Sequence, residues 1–457
     1  MNYEESISYL YNLTHHGIKL GLENPKRLLK LAGNPERSFR SIHIAGTNGK
    51  GSTAVILSEL LRGAGVKTGL FTSPHLLRFT ERIRVDGREI SKDEVSKILQ
   101  DLLAILKTTQ DLKPTFFEMV TAIGFEHFRR NSVQWAVVET GMGGRFDATN
   151  VIEPEVSIIT PVGYDHREFL GNTLKEIAFE KAGILKERVP LILAPQEDEA
   201  EEVILKRAYD LSVPVRRYGH DFGAIPVDYN DTGITMTFWR RQPEGDGNPE
   251  IQEFTDLPLP LQGEHQIINA SLALEAFFKI LPEMGRDVEL IRKSLSGVVW
   301  PGRLDFREFN GHTILLDGAH NPPATKSLAR YLKKLLSLNK YREITLIFGA
   351  MKDKNISETL SPLLPLADRV ILTSMKYERA ATSSDLLKTL RENGNPGDQS
   401  AHPVFEVAES VRDAIRIATG VPEKDKLTVI TGSLYLVGDA LEILGERPLL
   451  RRLSEAR

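Results

Sequence analysis

Short apolar runs alternate along the chain with longer stretches of helical periodicity. Ser41-Ile42-His43-Ile44-Ala45 is compact and rich in β-branched residues, as a buried parallel strand requires. Val55, Ile56, Leu60 and Leu61 then recur at helical spacing. Further strands are expected at 66–71, 135–139, 156–160 and 191–194. Helices are expected near 25–32, from the Ser91-Lys92-Asp93-Glu94 capping signal to about 107, over 115–130 and over 173–185. Residues 78–85 alternate in the strand manner and lead into an Asp86-Gly87 turn. Strands alternating with helices imply a mostly parallel sheet with helices on both faces. The rhythm breaks at 223–240, where alternation predicts a small antiparallel patch, followed by a polar loop over 241–250. Helices near 265–280 and 288–295 close this first part. A second α/β run follows, with strands expected at 313–317, 344–348, 369–373 and 427–431.

A chain of 457 residues exceeds what one hydrophobic core usually serves. The expected boundary is Trp300-Pro301-Gly302-Arg303, read as a hinge between domains 1–299 and 300–457. With 41% hydrophobic and 26% charged residues, the composition is that of a globular protein. A net charge of -4 argues against nucleic acid or an anionic membrane as the main partner. No cysteine is present, which removes disulfides, thiolate metal sites and cysteine nucleophiles together. The N-terminus shows neither a basic segment nor an apolar core, and no apolar run reaches membrane-spanning length. A cytoplasmic location is the expectation.

The chemistry gathers where strands are expected to end. Gly46, Gly49 and Gly51 surround Lys50 between the first strand and its helix. Glycines let backbone N–H groups converge on an anion, the helix N-terminus adds its dipole, and the lysine adds a full charge. The common phosphate-loop pattern would place glycine at Ile44 and Ser or Thr at Gly51, so the match is partial. The strand–loop–helix context favours a nucleotide triphosphate over a plain glycine turn. The fold class is therefore α/β: an N-terminal P-loop NTPase-like domain with a mostly parallel sheet, and a smaller C-terminal Rossmann-like α/β domain.

Other polar groups follow other strands. Ser73 stands just past the second strand, where its hydroxyl could reach a metal or simply belong to a Ser-Pro turn. Glu139 ends its strand, a common place for a magnesium carboxylate, and Gly141, Gly143 and Gly144 follow it. Arg145 and Asp147 could recognise a carboxylate and an amine, or be tied up in Asx turns. His166 is either structural or a third polar group at the same edge. Spacing alone leaves Lys181 a solvated helix lysine. Asp317 could accept ribose hydroxyls and His320 could touch a γ-phosphate, or both could belong to an Asp-Gly turn capped at Asn321. Arg303 is a candidate phosphate clamp or a surface arginine after a turn.

Taken in order, these motifs resemble one family over nearly the whole chain: folylpolyglutamate synthases and bifunctional dihydrofolate synthase/folylpolyglutamate synthases, among the Mur-type ATP-dependent amide ligases. The residues carrying the resemblance are Gly46–Ser52, Thr72–Leu76, Glu139–Arg145, Asp147–Asn150, Asp165-His166, Glu180–Ile184, His265-Gln266, Asn269-Ala270, Trp300–Arg303, Asp317–Pro322, Phe348–Ala350 and Thr431–Ser433. The extra glycine after Lys50 belongs to the family's own loop.

The resemblance implies roles. Thr47, Asn48, Gly49, Lys50, Gly51, Ser52, Asn269, Arg303 and Asp317 would bind ATP. Ser73, Glu139, His166 and a carbamylated Lys181 would hold two Mg2+ ions, with a monovalent cation such as K+ as a further expectation. Lys50, Lys181 and His320 would act in catalysis. Ile18, Lys19, Leu20, Thr115, Phe116, Phe117, Phe146, Asp147 and Ala148 would meet the pterin-containing substrate. The implied reaction is transfer of a γ-phosphoryl group to a pteroate or folate carboxylate, then attack by the amine of L-glutamate, with the second domain closing at the hinge. The partners implied are small molecules, with neither nucleic acid nor membrane, acting on a monomer. A Mur-type cell-wall ligase is the nearest alternative, but the cradle begins about forty residues in and leaves no room before it for a nucleotide-sugar domain. A P-loop kinase is the second alternative, and it would not need the glycine-rich segment after Glu139.

Overall fold

The computed structural model describes residues 1–13, 21–109, 111–242, 250–377, 379–392, 403–420 and 425–445. The chain divides into two compact units: residues 1–260 with 264–299, and residues 261–263 with those from Trp300 onward.

In the first unit an eight-stranded sheet is built from β1 (Arg40–Ala45), β2 (Thr68–Phe71), β3 (Ile83–Val85), β4 (Arg88–Glu89), β5 (Trp135–Glu139), β6 (Val156–Ile159), β7 (Leu191–Leu193) and β8 (Val215–Arg217). Their order is β4-β3-β2-β5-β1-β6-β7-β8. The six strands from β2 to β8 in that order run parallel, and β3 and β4 complete it as an antiparallel hairpin. β1 therefore lies inside the sheet, with Ile44 beside Glu139 on one flank and beside Ile158 on the other. Five of its six residues are buried, which explains why its apolar run is continuous rather than alternating.

The helices begin where side chains satisfy their free N–H groups. Thr115 with Glu118 forms a capping box at helix Phe116–Arg130, and Thr173 with Glu176 forms one at helix Leu174–Ala182. Phe125, Phe128, Ile123 and Val120 of the first pack in a core with Phe71 and Val138. Ile177, Ala178 and Ala182 of the second share a core with Ala45, Ile159 and Leu193.

A smaller three-stranded antiparallel sheet, β9 (Phe222–Asn230), β10 (Gly233–Arg241) and β11 (Ile251–Leu259), has order β11-β10-β9. Phe238 and Phe254 stack on Phe278 of helix Glu264–Ile280, with centroids 5.8 and 4.7 Å away. The polar loop expected over 241–250 falls mostly outside the described residues.

Residues 78–85 depart from the sequence expectation. Phe79–Arg82 is a 3-10 turn, and only Ile83–Val85 is strand. The cause is Glu81, whose carboxylate accepts from the backbone N–H groups of Leu76, Leu77 and Arg78 at 2.8, 3.1 and 2.8 Å. Those local bonds outweigh the alternating pattern.

The second unit carries β12 (Asp305–Phe309), β13 (His312–Leu316), β14 (Glu343–Phe348), β15 (Arg369–Thr373), β16 (Val404–Ala408) and β17 (Lys426–Thr431) in the order β12-β13-β17-β14-β15-β16. Only β12 is antiparallel to its neighbour. Helix Pro322–Ser337 is capped by Asn321, whose side-chain oxygen accepts from the Ala324 N–H. Leu328, Leu332 and Leu335 of this helix join Leu315, Leu346 and Val429 in the core.

Candidate active site

In the first unit the polar groups cluster at the carboxyl ends of the parallel strands, where open α/β sheets bind ligands. The loop after β1 turns at Gly46 (φ 146°) and Gly49 (φ 92°) into helix Lys50–Gly63. A Cβ on Gly46 would strike the Thr160 side chain, and one on Gly49 would strike the Asn269 amide. Only glycine fits both the angles and the space. The first-turn N–H groups of the helix lack helical carbonyl partners by geometry, which leaves them directed at the loop.

Two parts of the cradle are already engaged. The N–H groups of Thr47 and Asn48 both donate to the Pro161 carbonyl, at 2.9 and 3.3 Å. The Thr47 hydroxyl donates to the Gly163 carbonyl and accepts from the Gly163 N–H. Thr47 and Asn48 therefore fasten the loop to the segment after β6, and the groups left for an anion run from Gly49 to Ser52 with the Lys50 ammonium.

Lys50 and Lys181 meet at one atom. The Gly46 carbonyl accepts from Lys50 Nζ at 3.1 Å and from Lys181 Nζ at 2.7 Å, and Lys50 also donates to the Thr47 carbonyl at 3.2 Å. Lys181 is buried, not a solvated helix lysine. Burial and then the Lys50 charge push its ammonium down to about 7, against the opposing pull of Asp165 and Asp147. An amine so placed is substantially neutral near pH 7 and nucleophilic.

Glu139 is buried at the end of β5 and accepts from the Ser73 N–H at 3.1 Å, so these two positions are coupled directly. His166 has positive φ (47°), its N–H donates to Asp165 Oδ1, and its Nε2 lies 3.9 Å from Asp165 Oδ2. Among the described residues no three His, Asp or Glu side chains form a metal-holding group. A hydroxyl and a carboxylate beside a phosphate cradle are nevertheless hard oxygen donors that fit Mg2+, which commonly completes its shell with phosphate oxygens and water.

In the segment after Glu139, Arg145 and Asp147 take the loop-holding alternative. The Arg145 guanidinium is paired with Glu180 (2.6 Å) and lies over the rings of Phe146 and Phe179. The Asp147 carboxylate is buried and accepts from the Met142 N–H, the Thr149 N–H and the Thr149 hydroxyl at 2.8, 3.0 and 2.6 Å. Burial pushes its pKa up despite these bonds. Both side chains organise the loop. Ala148 is buried in the short turn that follows.

Of the remaining pterin positions, Thr115 is a buried cap, Phe116 stacks on Tyr11 (5.4 Å) beneath the Arg82 guanidinium, and the Phe117 ring faces Gly141. Ile18, Lys19 and Leu20 lie outside the described residues. Sequence reasoning gave no role to His75 and Arg82, although Arg82 Nε donates to His75 Nδ1 at 2.8 Å and the Tyr11 hydroxyl lies 3.3 Å from His75 Nε2. Burial, then the Arg82 charge, holds His75 down to about 3.

The second unit holds Arg303, Asp317 and His320. Asp317 is buried after β13, and its two oxygens accept from the Leu304 and Ala319 N–H groups at 2.9 and 3.0 Å. Burial raises its pKa against the pull of Arg303. Arg303 Nη1 donates to the Gly302 carbonyl, and a Cβ on Gly318 would strike that nitrogen. His320 Nδ1 bonds the Gly318 carbonyl at 2.9 Å, leaving Nε2 as the ring's other polar atom. Asp317 thus organises the loop between Leu304 and Ala319 with both of its oxygens.

Comparison with known proteins adds the following. Residues 44–277 match the Mur ligase middle domain, and residues 303–443 match the dihydrofolate synthetase C-terminal domain. The chain is 33% identical to the dihydrofolate synthase/folylpolyglutamate synthase of Bacillus subtilis, covering 96% of this chain and 98% of that one. It is similar to the Mycobacterium tuberculosis folylpolyglutamate synthase solved with ADP and AMPPCP, with a TM-score of 0.86 and 32% identity over 98% of this chain and 100% of that one. It is also similar to E. coli FolC in complex with DHPP and ADP, with a TM-score of 0.81 and 28% identity over 97% of each chain.

Proposed function

Because the chain belongs to the family of dihydrofolate synthase/folylpolyglutamate synthases, within the Mur-type ligases, we propose the following account of its ATP-dependent ligation of glutamate in folate metabolism. The acceptor is the carboxylate of dihydropteroate, of a (tetrahydro)folyl-(poly)glutamate, or of both. A carboxylate is a poor electrophile, because its leaving group would be oxide. Transfer of the γ-phosphoryl group of ATP makes an acyl phosphate and releases ADP. The α-amine of L-glutamate attacks its carbonyl, the amine proton leaves, and phosphate is expelled as the amide forms. The observation that carries this reading is the convergence of Lys50, Lys181 and the glycine loop beside the coupled Ser73–Glu139 pair.

The N–H groups from Gly49 to Ser52 bind phosphate oxygens, and Lys50 offsets charge on the transferring group. Thr47 and Asn48 serve by holding the loop, and Asn269 bounds it at Gly49. Ser73, Glu139 and His166 are the residues that would hold Mg2+, which when bound supplies charge neutralisation on the phosphates. The neutral Lys181 amine adds to CO2, losing a proton to give a carbamate, and so turns a cation into a further oxygen ligand. A monovalent cation such as K+ belongs to the same reading. The first unit serves as the ATP-binding domain and the second as the glutamate-ligase domain, where Arg303 and Asp317 serve the nucleotide and His320 the γ-phosphate. Phe116, Phe117 and Phe146 supply aromatic surface for the pterin. The protein acts as a cytoplasmic monomer on small molecules alone. No helix among the described residues is long and apolar enough to cross a membrane.

Glutamate-dependent phosphate release, measured in parallel with dihydropteroate and tetrahydrofolate under Mg-ATP, tests the reading. Lys50→Ala is expected to lower kcat by about 100-fold or more while the melting curve is unchanged. Turnover at the wild-type rate in that variant would sink the assignment.

A further inference from the structure

Helix Glu264–Ile280 does two things in the first unit. Its second turn carries Asn269, buried, whose Nδ2 donates to Gln266 Oε1 at 2.9 Å and whose Oδ1 occupies the space a Cβ on Gly49 would take. Six residues on, about 9 Å along the axis, the same helix carries Glu275, which is 1% exposed. Two arginines from different sheets close on that carboxylate. Arg216 of β8 donates through Nε at 2.9 Å, and Arg240 of β10 donates through Nε at 3.0 Å and Nη2 at 3.2 Å. Arg216 Nη2 also donates to the Asp221 and Arg241 carbonyls at 3.1 and 2.7 Å, and Arg240 lies 4.9 Å over the Phe278 ring.

A buried ion triplet adds little net stability over an apolar group of the same volume, because desolvation offsets the attraction. It does accept only one geometry. Apolar side chains tolerate a small slide or roll of the helix, whereas forked guanidinium–carboxylate bonds do not. The triplet joins the edge strand of the large sheet, the middle strand of the small sheet, and the helix that bounds the phosphate loop.

We propose that Arg216, Glu275 and Arg240 are positioning residues that set Asn269 against Gly49 and so tune nucleotide binding. This rests on the reading of Asn269 as a nucleotide contact.

The test is steady-state kinetics on the full chain, with Mg-ATP, glutamate and acceptor varied in turn. The triple variant Arg216→Met, Arg240→Met, Glu275→Leu is expected to keep its near-UV circular dichroism and to raise the KM for ATP about two- to ten-fold, the scale of one weakened hydrogen bond. Its kcat and its KM for glutamate should hold. In an Asn269→Ala background the triple change should add nothing further to the KM for ATP. Glu275→Gln, which keeps the shape and one acceptor oxygen, should give a smaller rise and serves as the readout if the triple variant does not fold. A wild-type KM for ATP in the folded variants, or an effect that adds fully to that of Asn269→Ala, overturns the positioning role alone. An unchanged KM in Asn269→Ala itself overturns the nucleotide reading of that residue, and the inference falls with it.

Discussion

The two units use the same plan, a parallel sheet whose strands end in loops, and spend their polar groups in opposite ways. After β1 the loop is glycine-rich, with two lysine side chains on one carbonyl and first-turn N–H groups directed into it. After β13 the loop closes on a carboxylate, since Asp317 accepts from Leu304 and Ala319 and Arg303 folds onto Gly302. The first arrangement gathers N–H donors around the Lys50 charge, as the proposed phosphate role requires. The second uses its charge to hold backbone. Sheet topology thus fixes where a site can lie, and the loop decides which chemistry occupies it.

The comparison breaks most visibly at the lysines. Lys181→Ala removes one member of the convergent pair, and kcat is expected to fall about 100-fold, the scale of one lost charge-stabilising group. If the working form is a carbamate, a short carboxylic acid should restore part of the loss. Full activity without any additive would show that Lys181 is only structural.

The loop organisers sharpen the contrast next. Asp147 accepts from three donors and Asp317 from two, so alanine at either position should cost about 2–4 kcal/mol from donors left unpaired. Denaturant unfolding measures this. A loss below about 1 kcal/mol at either position would show that its loop does not depend on the carboxylate.

The smallest effect is a pH dependence inside the first unit. His43 on β1 is buried, bonds Thr149 through Nε2 at 2.8 Å, and is held down to about 3, mainly by burial and then by Lys186. Between pH 6.5 and 3 the unfolded chain takes up a proton at this histidine and the folded chain does not. Stability contributed by its neutral form is therefore lost as pH falls through that window, by about 2 kcal/mol at pH 5. Urea midpoints at pH 7 and 5 should converge in His43→Leu relative to wild type. An identical pH slope in both proteins would exclude His43 as the source.

The sheet and the cradle were legible because buried strands and glycine turns leave strong local patterns. Ser41–Ala45, Trp135–Glu139 and Arg369–Thr373 lie within observed strands. Strand β11 was not legible, since Pro258 sits in it and Asp256 adopts positive φ, both of which mask alternation. In the site, residue type misled at Arg145 and Asp147. Charged groups in a glycine-rich loop suggest a ligand, yet the nearest partners are Glu180 and the loop's own N–H groups. Lys181 shows the reverse. Nothing in helical spacing marks it, and only the packing of helix Leu174–Ala182 against the cradle places its amine on the Gly46 carbonyl.

The bonds from Lys50 to the Gly46 and Thr47 carbonyls set a threshold for entry. The lysine already has two oxygen acceptors, so an arriving anion takes its third N–H or exchanges with one of them. A weak singly charged anion gains little from that exchange, while a polyphosphate gains at several donors together. In the proposed phosphate role, the loop's own backbone is thus a competitor, and the exchange favours a ligand with several charged oxygens over one with few.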